Sequence, residues 1–114
     1  MLKKNIVITG GTDGIGLALT KQLIDKNQNV FIIGRNENKG NAILNSLKSP
    51  NLEFFQCDLS EFSEIKKVLI TLNNIKNIDV LINNAGAIFD KRSLKLSLFA
   101  KKSFDRLLYF QKRS

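Results

Sequence analysis

Gly10, Gly14 and Gly16, within Thr9-Gly10-Gly11-Thr12-Asp13-Gly14-Ile15-Gly16, are the residues whose spacing most directly suggests chemistry. They follow the apolar run Ile6-Val7-Ile8 and open a segment of helical periodicity. A G-x-x-x-G-x-G turn between a strand and a helix is a place where main chain can touch a pyrophosphate. Gly10 permits the sharp turn out of the strand. Gly14 lets the backbone approach phosphates with no Cβ between, and Gly16 lets the helix lie close on the strand it left. The amides of the first helical turn, with about half a positive charge from the helix dipole, then face the anion. Thr12, Asp13 and Ile15 lie in the same turn and count with it as cofactor-binding residues. The spacing is not that of the general G-x-G-x-x-G fingerprint, since position 19 is Leu, and no Gly-Lys-Ser/Thr follows to make a nucleoside-triphosphate loop.

The elements that must position this turn are legible in the apolar pattern. Residues 5–9 form a short strand of the kind buried on both faces. From Gly14 to about Lys26, Ile15, Ala18, Leu19 and Leu23 recur at helical spacing. Val30-Phe31-Ile32-Ile33 makes a second strand, ended by Gly34-Arg35-Asn36, and a helix over about 37–48 carries Ile43, Leu44 and Leu47 inward. Ser49-Pro50-Asn51 breaks that helix. Residues 52–57 form a third strand, ended by Asp58-Leu59-Ser60. Ser60 is placed to cap the next helix, with Glu61 and Glu64 in its first turn and Ile65, Val68, Leu69 and Leu72 along its buried stripe. Val80-Leu81-Ile82 is a fourth strand, leading into Asn83-Asn84-Ala85-Gly86. The alternation implies an α/β chain, half of a doubly wound fold, with a parallel four-strand sheet in the order 3-2-1-4 and helices on both faces. Ligands of such sheets bind beyond the carboxyl ends of the strands, where strands 1 and 4 diverge. The segments 9–16, 34–36, 57–59 and 83–86 all fall at those ends.

Composition narrows the chemistry. The 114 residues are 43% hydrophobic, enough for one small domain. There is no run of about 18 apolar residues, and Met1-Leu2-Lys3-Lys4 leads directly into the first strand without room for a signal peptide. The lone Cys57 excludes an internal disulfide and fits a reducing compartment, so a cytoplasmic protein is expected. The absence of histidine removes imidazole acid–base chemistry and the commonest metal ligand, and no metal site is expected. Net charge is +8, yet residues 1–89 hold 10 basic and 8 acidic side chains, whereas 90–114 hold 8 and 2. The excess belongs to a basic tail, which divides the chain at about 1–90 and 91–114.

In this order and placement, Thr9-Gly10-x-x-x-Gly14-x-Gly16, then Asp58, then Asn83-Asn84-Ala85-Gly86 resemble the short-chain dehydrogenase/reductase family. The resemblance covers roughly residues 4–94, and "GRNENKG" with "LINNAGAIFDKRSL" is most similar to its retinol-dehydrogenase-like branch. It implies hydride transfer between a nicotinamide cofactor and a carbonyl or alcohol. Backbone at 10–16 would hold the pyrophosphate, Asp58 would accept from the adenine amino group beside the Leu59 amide, and Asn84, Ala85 and Gly86 would line the adenosine side. Asn84 would also brace the fourth strand. NAD-specific members carry an acidic residue at the end of the second strand; here Gly34 and Arg35 stand there, and a guanidinium suits a 2′-phosphate. Asp13, where NADP-binding members often have a basic residue, and Glu37, about 20 residues past the glycines, argue the other way. With Glu37 assigned to the following helix, NADP is expected over NAD.

The catalytic half of the pattern is missing. The family uses a Tyr-x-x-x-Lys pair with a preceding Ser and an upstream Asn, but Tyr109 is the only tyrosine, Lys112 lies three residues on, and position 113 is Arg. No Asn occurs after Asn84. No catalytic residue is assigned, and a small-molecule substrate is expected only for a longer form. The tail is expected to be helical and outside the family pattern, the favoured origin being a frame change or early stop in a once longer gene. The alternative is a non-catalytic dinucleotide-binding or scaffold module whose basic amphipathic tail contacts a membrane or partner. Nucleic acid is not an expected partner, because the tail's aromatics are too few and irregular for stacking.

Overall fold

In the computed structural model, which describes residues 3–75, 77–84, 102, 103, 105–107 and 109, the apolar runs become strands. The order is β1 (Asn5–Thr9), α1 (Gly14–Asp25), β2 (Asn29–Gly34), α2 (Glu37–Leu47), β3 (Leu52–Gln56), α3 (Phe62–Asn73) and β4 (Val80–Asn83). All three pairings are parallel and the sheet order is β3-β2-β1-β4, as expected. Every strand therefore delivers its carboxyl end to the same rim.

Alternate residues of β1 and β2 serve opposite faces, as the two-residue period of a strand requires. Ile6, Ile8, Val30 and Ile32 pack with Ile43 and Leu52 beneath α1 and α2. Val7 and Ile33 pack with Cys57, Ile65, Val68, Leu72 and Ile78 beneath α3. Phe31 and Phe55 stack on this second face with centroids 6.2 Å apart. In the basic tail, residues 102, 103, 105–107 and 109 are helical, and Leu107 packs against the α3-side cluster. None of the described helices is long and apolar enough to cross a membrane.

Two local expectations are corrected. The inner face of α1 is not the stripe its apolar spacing suggested: Ile15 is 74% exposed and Ala18 is also exposed, while Gly16 and Thr20 are buried. Leu19 and Leu23 do pack inward, with Leu17 and Ile24. The helix is rotated so that Gly16 and Thr20 meet the sheet, which brings its start close to β1. Nor does Ser60 cap α3; the N-cap is Glu61, with no side-chain capping bond, so only Glu64 lies in the first turn. Ser60 instead turns back to Asp58, donating from both its amide and its hydroxyl to Oδ1, at 2.9 and 2.6 Å.

α2 sits against β3 through a missing side chain. A Cβ at Gly40 would meet the edge of the Phe54 ring, with Cδ2 at 2.5 Å. Gly40→Ala gains about 1 kcal/mol of helix propensity but forces a packed ring to move, at about 1–3 kcal/mol. A net loss of about 1 kcal/mol is expected in urea unfolding; a gain would show that Phe54 is free to swing.

Candidate functional site

Residues 10–16 form a tight return from β1 into α1. Gly10 and Gly14 have φ of 69° and 52°, the left-handed region that a side chain disfavours. The Gly10 amide donates to the Ile33 carbonyl at 2.9 Å, which ties the turn to the end of β2. A Cβ at Gly16 would overlap the Gly10 carbonyl oxygen and lie 2.7 Å from Asn84 Nδ2. The start of α1 therefore touches the end of β1 with no room between. Gly11 is equally confined, since a Cβ there would sit 2.6 Å from Ile32 Cγ2. Thr20, fully buried, lies with its hydroxyl 2.8 Å from the Gly16 carbonyl and 3.4 Å from that of Gly11, fastening the turn from below. The sequence pattern did not single out Thr20; its one signal is a polar residue four positions after a close-packed glycine.

Asn84 joins the fourth strand to this turn. Its amide donates to Thr9 Oγ1 at 3.0 Å, and its Nδ2 donates to the Gly10 carbonyl at 3.3 Å. That is the bracing role expected of it. Ala85 and Gly86, expected on the adenosine side, lie outside the described residues.

Gly34 at the end of β2 lets Thr12 approach: a Cβ there would be 3.0 Å from Thr12 Cγ2. The glycine turn, Thr12 and the exposed Arg35 thus come together at one end of the sheet. Glu37 is the first residue of α2, as assigned, and is exposed. Asp13 pairs with Lys39 across the gap between the turn and α2, with Oδ2 2.9 Å from Nζ.

Asp58 and Leu59 follow β3 on the same rim. The Ser60 hydroxyl holds the Asp58 carboxyl below its ordinary range; partial burial opposes this, and the Ser60 amide and the Arg35 charge add to it. The Asp58 amide donates to Glu64 Oε1 at 2.9 Å, a back-reach from the first turn of α3 that the sequence reading did not foresee. Both Ser60 bonds go to Oδ1, so the local turn engages one of the two carboxylate oxygens. Leu59 packs onto the α3-side cluster.

The residues present fit a nucleotide carrying a pyrophosphate. Asp13, the N-cap of α1, makes no side-chain cap hydrogen bond, and the first backbone bond into the helix is from the Leu17 amide, so the first-turn amides of α1 are left for an anion beside a turn where Gly11 and Gly16 leave no room for a Cβ. A parallel sheet in the order 3-2-1-4, with a glycine turn between β1 and α1, defines the first half of a doubly wound dinucleotide-binding domain. The chain belongs to the short-chain dehydrogenase family, whose model matches residues 4–110. That family comprises oxidoreductases with a nicotinamide-cofactor-binding fold. A 3-oxoacyl-acyl-carrier-protein reductase of Chlamydia pneumoniae is 33% identical over 100 residues, which take in 85% of this chain and 40% of that protein. A polyprenol dehydrogenase of Homo sapiens is 36% identical over 87 residues, 72% of this chain and 26% of that protein. Among solved structures, a short-chain dehydrogenase from Streptomyces avermitilis superposes with a TM-score of 0.83 at 22% identity, over 98% of this chain and 45% of that one. Another, from Sphingobium yanoikuyae in complex with NADPH, superposes at 0.81 and 22% identity, over 92% of this chain and 46% of that one. The chain thus spans two fifths or less of the length of these two relatives.

Proposed function

We propose that this chain is the cofactor-binding portion of an NADP(H)-dependent short-chain oxidoreductase. The observation that carries the reading is the single rim on which the glycine turn, the open start of α1, Arg35 and Asp58 meet. The pyrophosphate lies on the amides of residues 14–16, and Asp58 takes the adenine amino group. Arg35, exposed beside the turn, takes the 2′-phosphate. When bound, the cofactor supplies or accepts a hydride at its nicotinamide ring. No Tyr-x-x-x-Lys pair to move the matching proton lies within these 114 residues, so what this stretch contributes to the reaction is the holding of the cofactor. A carbonyl or alcohol substrate belongs to a longer form.

The test is Arg35→Ala, with binding of NADPH and NADH compared by titration. A hydrogen bond to a charged group is worth about 1.5–3 kcal/mol, so NADPH affinity is expected to fall roughly 10- to 150-fold while NADH binding holds. Equal losses for the two nucleotides would reject the 2′-phosphate role.

A second reading, a non-catalytic dinucleotide module, draws support from Leu107. That tail residue packs on the core under α3, so part of the tail contributes to this fold. The two readings separate on solution behaviour: a module is monomeric with micromolar NADPH affinity, whereas an incomplete sheet self-associates through β4.

A further inference from the structure

Asp13 has the backbone of a capping residue but not its hydrogen bond. It stands at the N-cap of α1 with φ −141° and ψ 157°, and its carboxylate caps nothing. An aspartate in that place ordinarily accepts from the second or third amide of the helix. Here both carboxylate oxygens accept from Lys39 Nζ, at 2.9 and 3.1 Å. Lys39 lies in the first turn of α2, and its own amide donates to the Asn36 cap at 3.1 Å, which fixes the turn that carries the ammonium. The first hydrogen bond into α1 runs from the Leu17 amide to the Asp13 carbonyl at 3.1 Å. The amides of Gly14, Ile15 and Gly16 therefore keep no backbone partner among the described residues.

A carboxylate folded onto the start of α1 would use one of these amides and set a negative charge where the pyrophosphate must sit. Two like charges about 4 Å apart repel by about 1 kcal/mol even in bulk water, and more beside a protein surface. We propose that Lys39 is a positioning residue for the dinucleotide site: its ammonium holds the Asp13 carboxylate off the N-terminus of α1 and leaves those amides open to the pyrophosphate. The inference rests on the dinucleotide reading above. The pair is exposed, at 51% and 67%, so it contributes little to folding. Its effect lies in where it keeps the carboxylate.

The full chain and its variants are titrated with NADPH and with NADH, and the nucleotide-free proteins are melted. Lys39→Met releases Asp13 onto the helix, so affinity for both nucleotides falls about five- to tenfold. The melting temperature of the nucleotide-free protein holds or rises, because α1 gains a cap. Adding Asp13→Ala to Lys39→Met restores both affinities. A loss confined to NADPH and not rescued by Asp13→Ala would make Lys39 a direct phosphate contact and overturn the proposal. Equal weakness of the single and double variants, or a melting temperature that falls with affinity, overturns it too. A native chain that binds neither nucleotide rejects the dinucleotide reading itself, and this inference with it; native binding with an unrescued Lys39→Met rejects only the role given to Lys39.

Discussion

Gly16→Ala is expected to weaken dinucleotide binding on the order of a hundredfold or more and to lower stability in the same protein. The new methyl would overlap the Gly10 carbonyl and come within 2.7 Å of Asn84 Nδ2. Neither neighbour yields easily. Gly10 is held by the bond from its amide to Ile33 at 2.9 Å, and Asn84 by the bond from its amide to Thr9 Oγ1 at 3.0 Å. Either α1 lifts from β1 or the turn is driven outward, and overpacking of this kind costs about 1–3 kcal/mol. Both routes turn the first amides of α1 away from their target. Two charge-assisted hydrogen bonds at about 1.5–3 kcal/mol each account for the loss of affinity. Gly14→Ala is the contrast: nothing lies within 4 Å of a Cβ there, so the cost in stability is the left-handed backbone alone, about 1–2 kcal/mol. Denaturant melts and NADPH titrations of both variants check this. A Gly16→Ala protein with native stability and affinity would mean that the helix does not lie where described.

Cys57 is expected to resist alkylation in the native protein. Its thiol is 1% exposed at the end of β3, and its pKa is pushed from 9.0 up to about 12, by burial first and then by the carboxylates of Glu64 and Asp58. The thiolate is the nucleophile, so at pH 8 the reactive fraction is roughly a thousandfold smaller than in the unfolded chain. Iodoacetamide should label the protein rapidly in urea and far more slowly in buffer, at a rate that reports opening of the α3 side. The same shift gives a pH dependence with a definite sign. Between pH 9.0 and about 12 the folded chain keeps a proton that the unfolded chain has lost, so stability falls as pH rises through that window. Labelling in buffer as fast as in urea would remove Cys57 from the core.

The two central strands were legible because buried parallel strands read as unbroken apolar runs, as at Ile6–Ile8 and Val30–Ile33, where every residue but Phe31 is buried. The helix α2 was legible for a similar reason, with Ile43 buried and Leu44 and Leu47 packed beside it. α1 was misread because apolar periodicity finds the greasy side of a helix, whereas this helix meets the sheet partly through Gly16 and Thr20. Closeness, not hydrophobicity, chose that face. Ser60 was misread because a serine before a helix is equally able to satisfy an aspartate two residues back, and Asp58 claims it at 2.6 Å. The pairing of Asp13 with Lys39 had no local signal at all, since it joins residues 26 positions apart that only the fold makes neighbours.

The middle place of β1 in the sheet has a consequence for how the chain reaches its structure. Asn5 is bonded on one side to Asn29, 24 positions away, and on the other to Asp79, 74 positions away. During synthesis the first flank is filled early, while the second waits for about fifty more residues, roughly 3–10 s at ribosomal speed. Contacts this remote in sequence also slow refolding from denaturant. β1 is made well before β4 and keeps one edge open until β4 arrives, and a chaperone that guards exposed strand edges would find its substrate there.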